Sequence, residues 1–461
     1  PLSRAVSDRG ARRRRSDAAS WTEAQAEQQL RSLELFGMRF GLDRMRRMMT
    51  VLGSPERRFA SIHVLGTNGK TSTTRMTAAI LQRHGLRTGT YTSPHLVSFR
   101  ERVRLDEREL DPETFAAAVA RAAWAAQRVN RTLGEDDHVT QFELLTAAAF
   151  WQMAQEDVEV AVVEAGLGGR YDATSVIDSQ VTVLTNVGLE HTRWLGPTLT
   201  DIAEEKLAVV RAHRPLVLGA DLAAPALDVA QRIARERDAQ VVRAADTQPM
   251  PVLLARGGFQ QRNFALARAA AASYLETAGI ELREQAVAQA AAEVQVPGRL
   301  QLLDDRPPTV LDGAHNPDAV AALVQSLPDV FEAHPPGPLA LVLGVLEDKD
   351  AAAMLAALLP LCERAWFTAP PSSRALSPAA LQSLARQLGF QASECEPQPS
   401  RALAQAQRWA YERGGATLAT GSVYLVGALL AERSRERRAR FAGQRSDTLG
   451  RTRERPASLG R

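Results

Sequence analysis

Twelve residues constrain this chain more than any others: Ile62–Thr73, Ile-His-Val-Leu-Gly-Thr-Asn-Gly-Lys-Thr-Ser-Thr. The apolar run predicts a strand, Gly66-Thr67-Asn68-Gly69-Lys70-Thr71 a tight loop, and Ser72–Gln82 a helix. In such a loop the backbone N–H groups and the positive end of the helix converge on an anion, which suits a phosphate. Lys70 would then reach the outer phosphates, and the hydroxyl of Thr71 or Ser72 would touch a magnesium ion. Val64 stands where the eight-residue P-loop has its first glycine. The motif is therefore Gly-x-x-Gly-Lys-Thr, and a plain strand-to-helix turn is the other reading of it.

Lysine is almost absent. Of 56 basic residues only Lys70, Lys206 and Lys349 are lysine; the rest are arginine. Arginine is a wide planar fork that stays charged, whereas a lysine amine can react when neutral. The three survivors are candidates for positions where shape or chemistry excludes arginine.

At 461 residues the chain is too long for one ordinary core, and two domains are expected. No run approaches the roughly 18 apolar residues of a membrane span, and the arginine-rich start lacks the apolar core of a secretory signal. Cys362 and Cys395 are too few for a disulfide framework, which fits a reducing cytoplasm. Residues 1–17 carry a net +4 and 431–461 a net +6, so the body between them is acidic. The ends read as basic disordered tails, and the acidic body argues against a nucleic-acid-binding core.

A helix is expected over Trp21–Leu35 and a helical turn region over Leu42–Leu52 before the loop. Thr88–Tyr91 predicts a strand closed by Thr92-Ser93-Pro94-His95, and residues 111–130 and 140–155 predict helices. Val158–Glu164 predicts a strand ending on a carboxylate, followed by Gly166-Leu167-Gly168-Gly169. That is where open α/β sheets place ligand and metal groups. Val181–Asn186 predicts another strand, before Gly188-Leu189-Glu190-His191, and a helix starts near Thr200. Val296-Pro297-Gly298-Arg299 reads as a joint. A second alternation follows: strands over Thr309–Leu311, Leu339–Leu343, Arg364–Thr368 and Ala416–Thr420, with helices from Asp318, Asp350 and Ser377. The expected fold class is α/β with two mostly parallel sheets. The larger domain spans 18–296 and a smaller Rossmann-like domain spans 297–430.

With these landmarks placed, the sequence resembles the Mur ligase superfamily, in its folylpolyglutamate synthase/dihydrofolate synthase branch. Nine separated blocks carry the resemblance: His63–Thr73, Tyr91–Leu96, Phe142–Phe150, Glu164–Ile177, Asn186–Lys206, Pro297–Arg299, Asp312–Pro317, Gly344–Asp350 and Thr420–Gly427. The resemblance implies an ATP-dependent ligase with a P-loop-type central domain and a C-terminal glutamate-ligase domain. ATP would phosphorylate a carboxylate on a pterin-containing acceptor, and the amino group of L-glutamate would attack the acyl phosphate. Dihydropteroate or tetrahydrofolate would be the acceptor, and a bifunctional enzyme is expected. Another Mur-type amide ligase, or a P-loop nucleotide-binding regulatory protein, is the alternative.

The resemblance also implies site roles. ATP would be held by Gly66, Thr67, Asn68, Gly69, Lys70, Thr71 and Ser72, with Asn263, Arg299 and Asp312. Ser93, Glu164 and His191 would bind magnesium, and Lys206 matches a lysine that the family carbamylates. Lys70, Lys206, Asp312 and His315 would be catalytic. Thr92, Pro94, His95, Phe142 and Asp172 would contact the pterin, and Ser422 the glutamate. Lys349 reads either as part of the second-domain site or as a helix-cap ion pair. A cytoplasmic monomer is implied, without membrane or specific nucleic-acid partners. Three positions depart from the family pattern: Thr71 where the folate branch commonly has glycine, Glu190 where Asp is usual, and Arg193 where an acid is often found.

Overall fold

The computed structural model describes residues 21–33, 40–244, 251–331 and 337–436. The chain divides into two units, with the break between Val296 and Pro297.

The first unit is built on an eight-stranded sheet. Its strands are β1 Ala60–Leu65, β2 Thr88–Tyr91, β3 Val103–Leu105, β4 Arg108–Glu109, β5 Val160–Glu164, β6 Val181–Leu184, β7 Leu216–Leu218 and β8 Val241–Arg243, in the order β4-β3-β2-β5-β1-β6-β7-β8. Pairing is parallel from β2 to β8, while β3 and β4 form an antiparallel edge. The central strands are buried almost throughout because helices cover both faces. Along β5, Val160 and Val162 face one core and Ala161 and Val163 the other. The first face carries helices Lys70–Arg83, Gly258–Thr277 and Glu284–Glu293. Helices Glu23–Ser32, Asp43–Leu52, Pro112–Asn130 and Gln141–Gln155 cover the second. A third apolar cluster lies under Leu199–Leu207 and Ala224–Glu236.

The second unit has a six-stranded sheet: β9 Gln301–Asp305, β10 Pro308–Leu311, β11 Leu339–Leu343, β12 Arg364–Phe367, β13 Ser393–Cys395 and β14 Ala416–Thr420. The order is β13-β12-β11-β14-β10-β9, parallel except for the β9–β10 hairpin. Asp350 and Ser377 cap their helices by accepting from the N–H groups of Ala353 and Ala380. Residues 423–436 are helical, so the first residues of the stretch expected to be a tail belong to an ordered element. Arg433 there is ion-paired with Asp304. The remainder of that stretch, 437–461, and the expected tail 1–17 lie outside the described residues.

Among the described residues no helix is long and apolar enough to cross a membrane.

Candidate active site

The strand order does the assembling. β2, β5, β1 and β6 are neighbours and parallel, so their carboxyl ends line up side by side. Past those ends stand Ser93, Glu164, the Gly66–Thr71 loop and His191. Four candidates far apart in the sequence thus share one edge of one sheet.

The loop is held in shape before any ligand arrives. Gly66 and Gly69 have φ of +145° and +81°, values that L-residues with side chains rarely adopt. A Cβ on Gly66 would lie 1.8 Å from Thr185 Oγ1, and one on Gly69 would lie 2.5 Å from Asn263 Oδ1. The segment after β6 pins the loop: Asn68 N donates to Asn186 Oδ1 at 2.8 Å, and Thr185 Oγ1 donates to Asn68 O at 2.6 Å. Gly188 N donates to Thr67 Oγ1 at 2.9 Å. The helix begins at Lys70, two residues before the expected start, because Gly69 in the left-handed region serves as its N-cap. Gly69→Ala is expected to weaken nucleotide binding roughly tenfold, since the left-handed conformation costs an L-residue about 1–2 kcal/mol. Titration with a fluorescent ATP analogue checks this, and an unchanged Kd would mean that Asn263 can step aside.

Glu164, 1% exposed at the end of β5, is the hub. Thr71 Oγ1 donates to its two oxygens at 3.0 and 2.8 Å, and Ser93 N donates to Oε2 at 3.2 Å. His191 sits at φ +55° beyond β6, its Nε2 3.9 Å from Glu190 Oε1. Among the described residues no three of His, Cys, Asp and Glu converge on one point. A magnesium ion fits that donor set. It binds through one or two carboxylates and takes its other oxygens from hydroxyls, water and phosphate.

Two lysines meet at one carbonyl. Lys70 Nζ donates to Gly66 O at 3.1 Å and to Thr67 O at 2.9 Å, while Lys206 Nζ donates to Gly66 O at 2.8 Å. Lys206 is 5% exposed. Burial first, and then the charge of Lys70, push its amine down to about 7.

The expected acceptor residues flank this edge. His95 accepts a hydrogen bond at Nδ1 from Arg102 Nε at 3.0 Å, and its ring lies 4.3 Å from that of Phe99. Thr92 N is tied to Arg102 O, and the Ser93–Pro94 peptide is cis. Phe142 and Asp172 come together at Gly166, where a Cβ would lie 2.6 Å from the Phe142 ring and 3.1 Å from Asp172 Oδ2. Asp172 accepts from Leu167 N at 2.8 Å and Thr174 N at 3.0 Å. The Thr174 hydroxyl also donates to Asp172, so His63 Nε2, 2.9 Å from that oxygen, must be the donor to it. The buried row His63–Thr174–Asp172 was not anticipated, although His63 opens the loop motif.

Three partly exposed aromatics were also missed. Phe40 lies 6.2 Å from Tyr171 and 5.5 Å from Trp194, and Arg193 stacks over Trp194 at 5.1 Å. Their signal is faint in sequence, because they come from three separated segments, Trp194 from the short helix Thr192–Leu195.

In the second unit, Asp312 lies at the end of β10. Its carboxylate accepts from Leu300 N at 2.8 Å and Ala314 N at 2.7 Å; burial raises its pKa, against the pull of Arg299. A Cβ on Gly313 would lie 3.0 Å from Arg299 Nη1, which places Arg299 against this loop. His315 Nδ1 donates to Gly313 O at 2.8 Å. Ser422 is buried, and its hydroxyl accepts from Tyr424 N at 3.1 Å at the start of helix 423–436. Lys349 is ion-paired with Asp348 at 3.4 Å.

Both units match known protein families. Residues 64–247 match the Mur ligase middle domain, and residues 298–423 match the Mur ligase glutamate ligase domain. Folylpolyglutamate synthase of Lacticaseibacillus casei is 34% identical over 366 residues, covering 74% of this chain and 84% of its own. The chain belongs to the folylpolyglutamate synthase/dihydrofolate synthase family. Dihydrofolate synthase/folylpolyglutamate synthase of Escherichia coli, another member, is 32% identical, covering 77% of this chain and 82% of its own. The structure of Mycobacterium tuberculosis folylpolyglutamate synthase complexed with ADP superimposes with a TM-score of 0.79 at 31% identity. It covers 89% of this chain and 97% of that one. The family's ATP-dependent ligase chemistry and two-domain α/β fold are therefore those of this chain.

Proposed function

We propose that the chain joins L-glutamate to both dihydropteroate and reduced folates, drawing on one phosphate cradle and one acceptor edge. The observation that carries the reading is the convergence of Lys70 and Lys206 on Gly66 O beside Glu164 and its partner Thr71. A nucleotide-binding regulator has no need of a second, buried lysine there.

In this reading the backbone of Gly66–Ser72 cradles the ATP phosphates, and Lys70 leaves its two carbonyls to contact the outer ones. Ser93, Glu164 and His191 hold magnesium, with Thr71 beside them. The metal, when bound, offsets charge that develops on the phosphate oxygens. Lys206 carries a carbamate, whose negative charge would turn its repulsion from Lys70 into attraction. Asn263, Arg299 and Asp312 contact the nucleotide, and His315 serves ligation, its ring held by Gly313 O. Thr92, Pro94, His95, Phe142 and Asp172 receive the pterin. The aromatic group Phe40–Tyr171–Trp194, next to Asp172, adds flat surface suited to a fused-ring acceptor. The stacking of Arg193 on Trp194 spends part of its charge locally. Ser422 is the candidate for the incoming glutamate, and Lys349 supports the second-unit site. We place the protein in the cytoplasm as a monomer, in keeping with its two free cysteines.

The test is phosphate release with ATP, magnesium and L-glutamate, supplying dihydropteroate in one reaction and tetrahydrofolate in another. Mass spectrometry identifies each product. Turnover with both acceptors is expected, and turnover with one alone would restrict the enzyme to that half of the reading.

A further inference from the structure

Behind the phosphate loop, in the same unit, lies a cavity of about 170 Å³. Arg75, Thr90, Arg104, Glu107 and the stretch Glu293–Gln295 line it. Arg75 is on helix Lys70–Arg83, five residues and about 7.5 Å along the axis from Lys70. The register pairs Thr90 on β2 with Arg104 on β3. Tyr91 belongs to the core on the other face, so alternation turns Thr90 toward the helix.

The charged side chains around the cavity are ion-paired, with one exception, and Glu107 keeps one oxygen, Oε1, buried without a hydrogen-bond partner. Arg83 pairs with Glu107 at 2.8 Å and with Glu293 at 2.6 Å. Arg104 pairs with Glu109 at 3.0 Å and hydrogen-bonds Glu107 O at 2.9 Å. Arg75 makes no hydrogen bond and no ion pair with any described residue. Burial, and then the nearby charge of Arg104, push its guanidinium down to about 10, against the opposing pull of Glu107, Glu109 and Glu101. Thr90, 3% exposed, also has a hydroxyl without a hydrogen-bond partner. An enclosed hydroxyl is ordinarily paired, because leaving it unpaired costs free energy, whereas Arg75, partly exposed, lines the open space of the cavity.

We propose that this cavity binds a small oxyanion, a carboxylate or a phosphate group, with Arg75 as its cationic contact and Thr90 as a hydroxyl donor. The guanidinium fork matches both groups in bidentate fashion. Size restricts the ligand: pockets for drug-sized molecules run to roughly 300–1,000 Å³, and a water occupies about 30 Å³. An oxyanion with a few waters fills this space. Bound there, it ties the helix that carries the phosphate loop to strands β2 and β3. The inference stands apart from the acceptor assignment, since none of its residues belongs to that site.

The experiment is thermal unfolding of the full chain with the nucleotide site saturated by magnesium and a non-hydrolysable ATP analogue. Inorganic phosphate is titrated in one arm and L-glutamate in the other, with chloride holding ionic strength constant. The wild type is expected to show a saturable rise in Tm in at least one arm, and the responding arm identifies the class of oxyanion. Arg75→Met should weaken the apparent affinity by roughly tenfold or more, as for a lost charge-assisted hydrogen bond. Thr90→Val, nearly the same shape, should weaken it less and serves if Arg75→Met does not fold. A flat wild-type response in both arms overturns the proposal. So does a response that persists unchanged in the folded variants, which would belong to the substrate site.

Discussion

Lys206→Arg is expected to lower turnover by roughly a hundredfold to a thousandfold, the loss typical when a preorganised electrostatic partner of the transition state is removed. ATP affinity should change only a few-fold. Lys206 is enclosed, and its Nζ shares Gly66 O with Lys70. Two fixed cations on one carbonyl repel, and the amine responds by holding its proton less tightly, near 7. Near neutral pH a substantial fraction is therefore the neutral amine that can add carbon dioxide. A guanidinium stays charged and cannot do this. Steady-state phosphate release with circular dichroism of the variant separates lost chemistry from lost fold. Intact mass of the wild type, with and without bicarbonate, looks for the adduct directly. Wild-type turnover in a folded Lys206→Arg protein would remove the carbamate from the mechanism.

The lysine was legible because of its rarity, and the loop because its glycines sit where positive φ is needed. Strand β11, and β5 up to its closing Glu164, were legible for another reason: strands covered on both faces read as unbroken apolar runs. What escaped was the polar periphery. Strands β3, β4 and β9 are short edge elements, Val-Arg-Leu, Arg-Glu and Gln-Leu-Leu-Asp-Asp, whose charges resemble those of a loop. Edge strands carry such charges because one side meets solvent. Helix Gly258–Thr277, which packs on the phosphate-loop helix and brings Asn263 against Gly69, is rich in alanine and weakly periodic. Alanine occupies both its fully buried and its partly buried positions, so no stripe marks the side that packs. The hydrogen-bond row through Thr174 was illegible for a further reason. His63 and Asp172 are 109 residues apart, and only the pairing of β1 with β5 and β6 brings their segments together.

That row makes acid stability the second large expectation. His63 is 1% exposed, and burial, with a smaller contribution from Arg211, pushes its imidazole down to about 3. The unfolded chain binds the proton near pH 6.5, whereas the folded chain does not bind it until far lower. The contribution is therefore intact above 6.5 and is lost as pH falls below it, by about 1.4 kcal/mol per pH unit for this one group. Over two units the loss is roughly 3 kcal/mol, a large part of an ordinary domain's 5–15 kcal/mol. His63→Gln keeps an amide able to donate to Thr174 and does not titrate. Urea unfolding at pH 6.5, 5.5 and 4.5 should show the wild type falling more steeply than the variant by that slope. His95, also pushed down to about 3, is present in both proteins and drops out of the difference. The carboxyl of Asp312, raised by burial, drops out as well. Parallel lines would mean that folded His63 takes up a proton readily. Its Nε2 would then not be the fixed donor that orients Thr174, and through it Asp172, at the acceptor edge.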